Sequence, residues 1–122
     1  MTTWTLRLPF VTPPLSLNQR LHFRVKARIT ADLKDTTEGK VRAAKVPVCE
    51  HIRVTLHYVP RDNRRRDADN LVATSKVVVD SIVSRCGITP DDTPQYVDHR
   101  MPIIELANPK DPHLWVEIVR TK

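Results

Sequence analysis

Residues 52–60 read IRVTLHYVP, and residues 61–87 read RDNRRRDADNLVATSKVVVDSIVSRCG. These two stretches decide the fold. In the first, Ile52, Val54, Leu56 and Tyr58 alternate with Arg53, Thr55 and His57. That is the period-two pattern of a strand with one buried face, and Pro60 stops it. In the second, a polar run gives way to Leu71, Val72, Val78, Val79, Ile82, Val83 and Cys86. The spacing predicts an amphipathic helix over residues 70–85, and Gly87 fits the position just past a helix end.

Before this unit, Trp4, Leu6, Leu8 and Phe10 alternate with Thr5, Arg7 and Pro9, a half-buried strand stopped by Pro13-Pro14. Residues 15–28 read as a loop rich in Arg and Asn. Thr30 is predicted to cap a helix over residues 31–45 that Pro47 ends. Gly39 and a weak apolar pattern put that helix at the surface, and Lys34, Lys40, Arg42 and Lys45 make it basic. After the unit, Pro90-Asp91-Asp92-Thr93-Pro94 is a rigid acidic turn. Residues 96–106 and 114–120 read as an antiparallel pair. The order strand, helix, strand, helix, strand, strand predicts an α+β fold: a mixed sheet of about four strands with two helices packed on it.

A length of 122 residues fits one small domain. No apolar run is long enough to span a bilayer. The start, MTTWTLRLPF, alternates and so lacks the apolar core of a signal peptide. Cys49 and Cys86 stand apart without metal-ligand spacing and are expected to be reduced, partly buried thiols. The expected compartment is the cytoplasm. Residues 1–48 carry nine basic side chains against three acidic ones, whereas residues 49–122 carry eleven of each. Seven of the later acids fall between Asp62 and Asp98. A basic half beside an acid-rich middle points to a polyanion partner and a separate cation site; a solvated charged surface is the plainer alternative.

Three features carry the chemistry. Asp67-Ala68-Asp69-Asn70 stands at the mouth of the second helix, Lys76 and Asp80 lie within it, and Asp91-Asp92 follows it. Asp67 and Asp69, two apart in extended chain, would point the same way. Asp69, Lys76 and Asp80, seven and four apart, would share a helix face. Carboxylates without Cys or His suit a hard cation, Mg²⁺ or Mn²⁺, better than Zn²⁺. Such an ion with a nearby lysine suits phosphodiester hydrolysis. Each piece also has an ordinary reading: Asp69 as a helix cap, Asp91-Asp92 as turn chemistry, Lys76 with Asp80 as a surface pair.

The string Arg65-Arg66-Asp67-Ala68-Asp69-Asn70-Leu71, followed by Lys76, Asp80, Gly87 and Asp91-Asp92, resembles the RusA family of Holliday-junction resolvases. Pro13-Pro14-Leu15-Ser16-Leu17-Asn18 is similar to that family's opening. The resemblance runs roughly from Trp4 to Met101. It implies a homodimeric, Mg²⁺-dependent endonuclease, often phage-encoded, that makes paired nicks in four-way DNA junctions. It places the catalytic acids at Asp67, Asp69 and Asp92, with Asp91 as an alternate ligand and Lys76 as the catalytic lysine. Residues 71–75 form a segment about three residues longer than in the best-known members, nearly one helical turn. Arg20, Arg24, Lys26, Arg28, Arg64, Arg65 and Arg66 are the candidate phosphate contacts. The competing readings are a non-catalytic DNA-binding protein of the same fold, a nuclease for other branched DNA, and a structural domain whose acids are caps and turn residues.

Overall fold

The computed structural model describes residues 2–16 and 19–122. Leu17 and Asn18, the end of the proline-rich opening motif, lie outside the described residues. The element order is β1 (Thr3–Leu8), α1 (Phe23–Ala43), β2 (Ile52–Val59), a 3₁₀ turn (Ala68–Leu71), α2 (Val72–Asp80), a π-helical turn (Ser81–Arg85), β3 (Val97–His99), β4 (Ile103–Ile104) and β5 (His113–Arg120). The fold is α+β, with two α-helices and a mixed sheet of five strands.

The sheet runs β1-β5-β2-β3, with β4 also on β2. β5 lies antiparallel between β1 and β2, while β3 and β4 run parallel to β2 along its other side. The expected antiparallel pairing of residues 96–106 with 114–120 is therefore wrong. Leu114, Val116 and Ile118 are fully buried, so β5 takes a central place with a partner on each side. The segment before it is left to form a broken edge. Arg100 N–H still donates to the Val54 carbonyl and Glu105 N–H to that of Tyr58. Between them falls Pro102, which has no N–H to add to a ladder.

The helices pack on the face that carries Leu6, Leu8, Ile52, Val54, Leu56, Val116 and Ile118. α1 begins eight residues earlier than Thr30 implies. His22 caps it, its ring Nδ1 accepting from Arg24 N–H at 3.2 Å. Arg24, Lys26 and Arg28 thus stand on a helix and not in a loop. Leu33, Thr37 and Val41 are buried at a spacing of four, so α1 is more than a surface helix. Gly39 is exposed on the opposite side and interrupts nothing. The helix ends before Pro47, with Lys45 in the left-handed region at φ 54°. The second helical run lies where the apolar stripe places it, although in three hydrogen-bonding modes, and Gly87 closes it at φ 65°. Cys49 is buried, Cys86 is half-buried, and both are free thiols.

Candidate active site at the mouth of the second helix

Asp67 follows the loop from β2 with extended backbone (φ −98°, ψ 130°), and the chain then tightens into the 3₁₀ turn that holds Asp69. The two carboxylates therefore do not share the strand geometry that would align them. Neither carboxylate caps a helix: neither Asp67, the cap of the 3₁₀ turn, nor Leu71, the cap of α2, makes a side-chain cap bond. Asp67 and Asp69 are exposed and form no side-chain hydrogen bond or ion pair among the described residues.

The segment 71–75 is anchored by two buried hydroxyls. Thr74 Oγ1 donates to the Leu15 carbonyl at 2.7 Å and accepts from Leu15 N–H at 3.1 Å. This ties the chain after Pro13-Pro14 to the first turn of α2. Ser75 Oγ meets His99 Nε2 at 2.5 Å. Burial lowers the pKa of His99, helped by the positive charge of Lys76 and opposed by Asp92 and Asp98. Asp92, which follows the far end of the helical run, and Lys76, near its start, are thus both within electrostatic reach of this imidazole.

The acids after the helix play different parts. Asp91 is used by its own turn: Oδ1 accepts from Asp92 N–H at 2.6 Å, and its carbonyl accepts from Thr89 Oγ1 at 2.8 Å. The Asp92 carboxylate is exposed with no hydrogen-bond partner among the described residues. Asp80 does not pair with Lys76. It meets Lys34 of α1 at 3.5 Å, and Lys76 forms no ion pair among the described residues. No three His, Cys, Asp or Glu side chains lie together as a metal-holding group among the described residues of the chain.

The arginine run is organised by Asp62. Its Oδ1 accepts from the backbone and side chain of Arg64 and from Arg66 Nη2, the last at 2.8 Å. These bonds, led by the Arg64 N–H, lower its pKa to about 2. Arg66 also donates to the carbonyls of Asp62 and Arg64 and lies over the Tyr58 ring at 5.8 Å. Arg64 and Arg66 are therefore engaged within the loop, whereas Arg65 is exposed and unpaired among the described residues. Arg20, Arg24, Lys26 and Arg28 are exposed, and Lys26 borders the depression formed by Leu15 and Ala73.

Asp62, Ser75 and His99 were not singled out from sequence. An acid heading an arginine run was a usable signal for Asp62. The Ser75–His99 pair, 24 positions apart, had none. No protein-family model and no curated protein matches this chain.

Proposed function

We propose that the chain is a metal-dependent endonuclease that nicks branched DNA, four-way junctions first, and that it works as a two-fold homodimer. The observation that carries the reading is the 2.5 Å contact of Ser75 Oγ with His99 Nε2, which brings the segment after the acidic turn back to the first turns of α2. A site built from both ends of the helical run requires such a return. The exposed, unengaged carboxylates of Asp67, Asp69 and Asp92 support it. Their oxygen donors fit Mg²⁺ or Mn²⁺, and these three would hold the ion.

When bound, such an ion neutralises phosphate charge and eases deprotonation of the attacking water. The ammonium of Lys76 offsets negative charge that grows at the phosphate during cleavage. Arg65 and the exposed cations of α1 bind flanking phosphates without reading bases, which makes binding sensitive to salt. Resolving a junction takes two symmetry-related cuts, and a two-fold dimer supplies two sites in that relation.

Incubating the purified protein with end-labelled four-way junction, flap and duplex DNA, with and without Mg²⁺, tests the proposal. Paired, Mg²⁺-dependent nicks in the junction are expected. Tight binding with no nicks would make it a non-catalytic DNA-binding protein, and preferred cutting of the flap would change the substrate. No binding and no cutting would overturn the reading altogether.

A further inference from the structure

Beside Asp67 the structure has a cavity of about 420 Å³. Such a volume lies within the range of about 300–1,000 Å³ typical of pockets for small molecules. It is more than a contact for a phosphate backbone needs. Pro13, Leu71 and Ile104 give it apolar walls, and Tyr58 adds an aromatic one. Ser16, Arg65, Arg66, Asp67 and Asn70 supply its polar groups.

The polar groups separate by what they already bond. Arg66 also borders the cavity, but it is held by Asp62 and two carbonyls. The guanidinium of Arg65, the carboxylate of Asp67 and the carboxamide of Asn70 have no hydrogen-bond or ion-pair partner among the described residues. A positive group, an amide with donors and acceptor, and apolar walls form the complement of one nucleotide, with the Asp67 carboxylate, which opposes a phosphate, as the group a cation would neutralise. The nucleotide's parts are a flat apolar body, an edge of mixed donors and acceptors, and a phosphate.

We infer that this cavity binds a single unpaired nucleotide of the DNA, with the base between the apolar walls, its edge at Asn70 and a phosphate at Arg65. The inference rests on the nuclease reading and deepens it. A base that is already unpaired or poorly stacked costs least to withdraw, so occupancy favours DNA with distorted pairing over regular duplex.

Two measurements test it. The first follows binding of a single-stranded oligodeoxynucleotide carrying 2-aminopurine, without divalent cation, to wild type and to Asn70→Ala and Ile104→Trp. Asn70→Ala removes a side chain with no protein partner among the described residues and is expected to keep the fold; Ile104→Trp fills the cavity. About 10-fold weaker binding of the oligonucleotide is expected for both, with unchanged circular dichroism for Asn70→Ala. The second follows methyl and side-chain amide NMR signals during titration with deoxynucleoside monophosphates. Shifts at Ile104 and Asn70 are expected. Junction cleavage with wild-type oligonucleotide affinity in folded Asn70→Ala, and no shifts at either residue, would overturn the pocket and leave the nuclease. Pocket-dependent binding without cleavage of any branched DNA would do the reverse.

Discussion

The two ends of the second helical run carry similar charges and put them to different use. At its far end Asp80, Ser81 and Arg85 are bound by α1. Asp80 meets Lys34, Ser81 Oγ donates to the Lys34 carbonyl at 2.7 Å, and Arg85 is held by Asp35 and Glu38. At the mouth, Asp67, Asp69 and Asn70 have no such partners among the described residues, and the bonds that exist fix the backbone around them. Charged groups left unengaged on an anchored frame are available to a ligand; charged groups already satisfied fasten one helix to another. The contrast gives the far end to helix packing and, on the proposed function, the mouth to chemistry.

The largest expected effect follows directly. Asp67→Asn, Asp69→Asn and Asp92→Asn should each abolish Mg²⁺-dependent junction cleavage while leaving junction binding intact or tighter, since each removes negative charge near phosphate. Asp80→Asn, at the fastened end, should leave the cleavage rate near that of wild type and cost at most about 1 kcal/mol of stability. Gel assays of cutting and binding with all four variants measure this. An Asp80→Asn enzyme as dead as Asp67→Asn would erase the contrast.

Lys76→Ala should slow cleavage by about 10²-fold without weakening junction binding to the same degree, because its charge acts most strongly as the transition state forms. Single-turnover rates at saturating protein give the number. A wild-type rate would mean that the longer segment 71–75 has carried Lys76 away from the chemistry.

How far the sequence showed this contrast depends on how local each signal is. The strand at Ile52 and the helical stripe from Leu71 to Cys86 were legible because burial repeats along a short stretch. The first two turns of α1 were not, because His22 is an unusual cap and exposed Arg24, Lys26 and Arg28 resemble a loop. The β3 and β4 pairings were misread because a parallel edge depends on which strand is already central. At the site, the acids were legible as residue types. Their partners were not: that Asp80 belongs to Lys34 and that Ser75 holds His99 are facts of tertiary packing between distant positions.

The fastened end makes a stability prediction. Ile82 is fully buried, so Ile82→Ala should cost about 2–5 kcal/mol, the transfer and cavity loss of a large aliphatic side chain. Urea unfolding followed by circular dichroism measures it. At a temperature where the variant remains folded its cleavage rate should match wild type. A stable variant that cannot cut would place chemistry at the wrong end.

The smallest effect concerns the imidazole that Asp92 and Lys76 share. Burial, and then Lys76, set the pKa of His99 in the folded chain below its ordinary value near 6.5. A base with a depressed folded pKa binds fewer protons folded than unfolded through that window. Its contribution to stability is therefore complete above about pH 6.5 and is lost as pH falls through the folded pKa. Burial also lowers the pKa of His57, where Glu105 and Glu117 oppose it. His57 stacks on Trp115 with ring centres 3.8 Å apart, and it adds a loss of the same sign. His99→Gln should thus reduce, without removing, the fall in urea midpoint between pH 7.5 and 5.5. Equal falls in the two proteins would show that folding does not lower the pKa of His99.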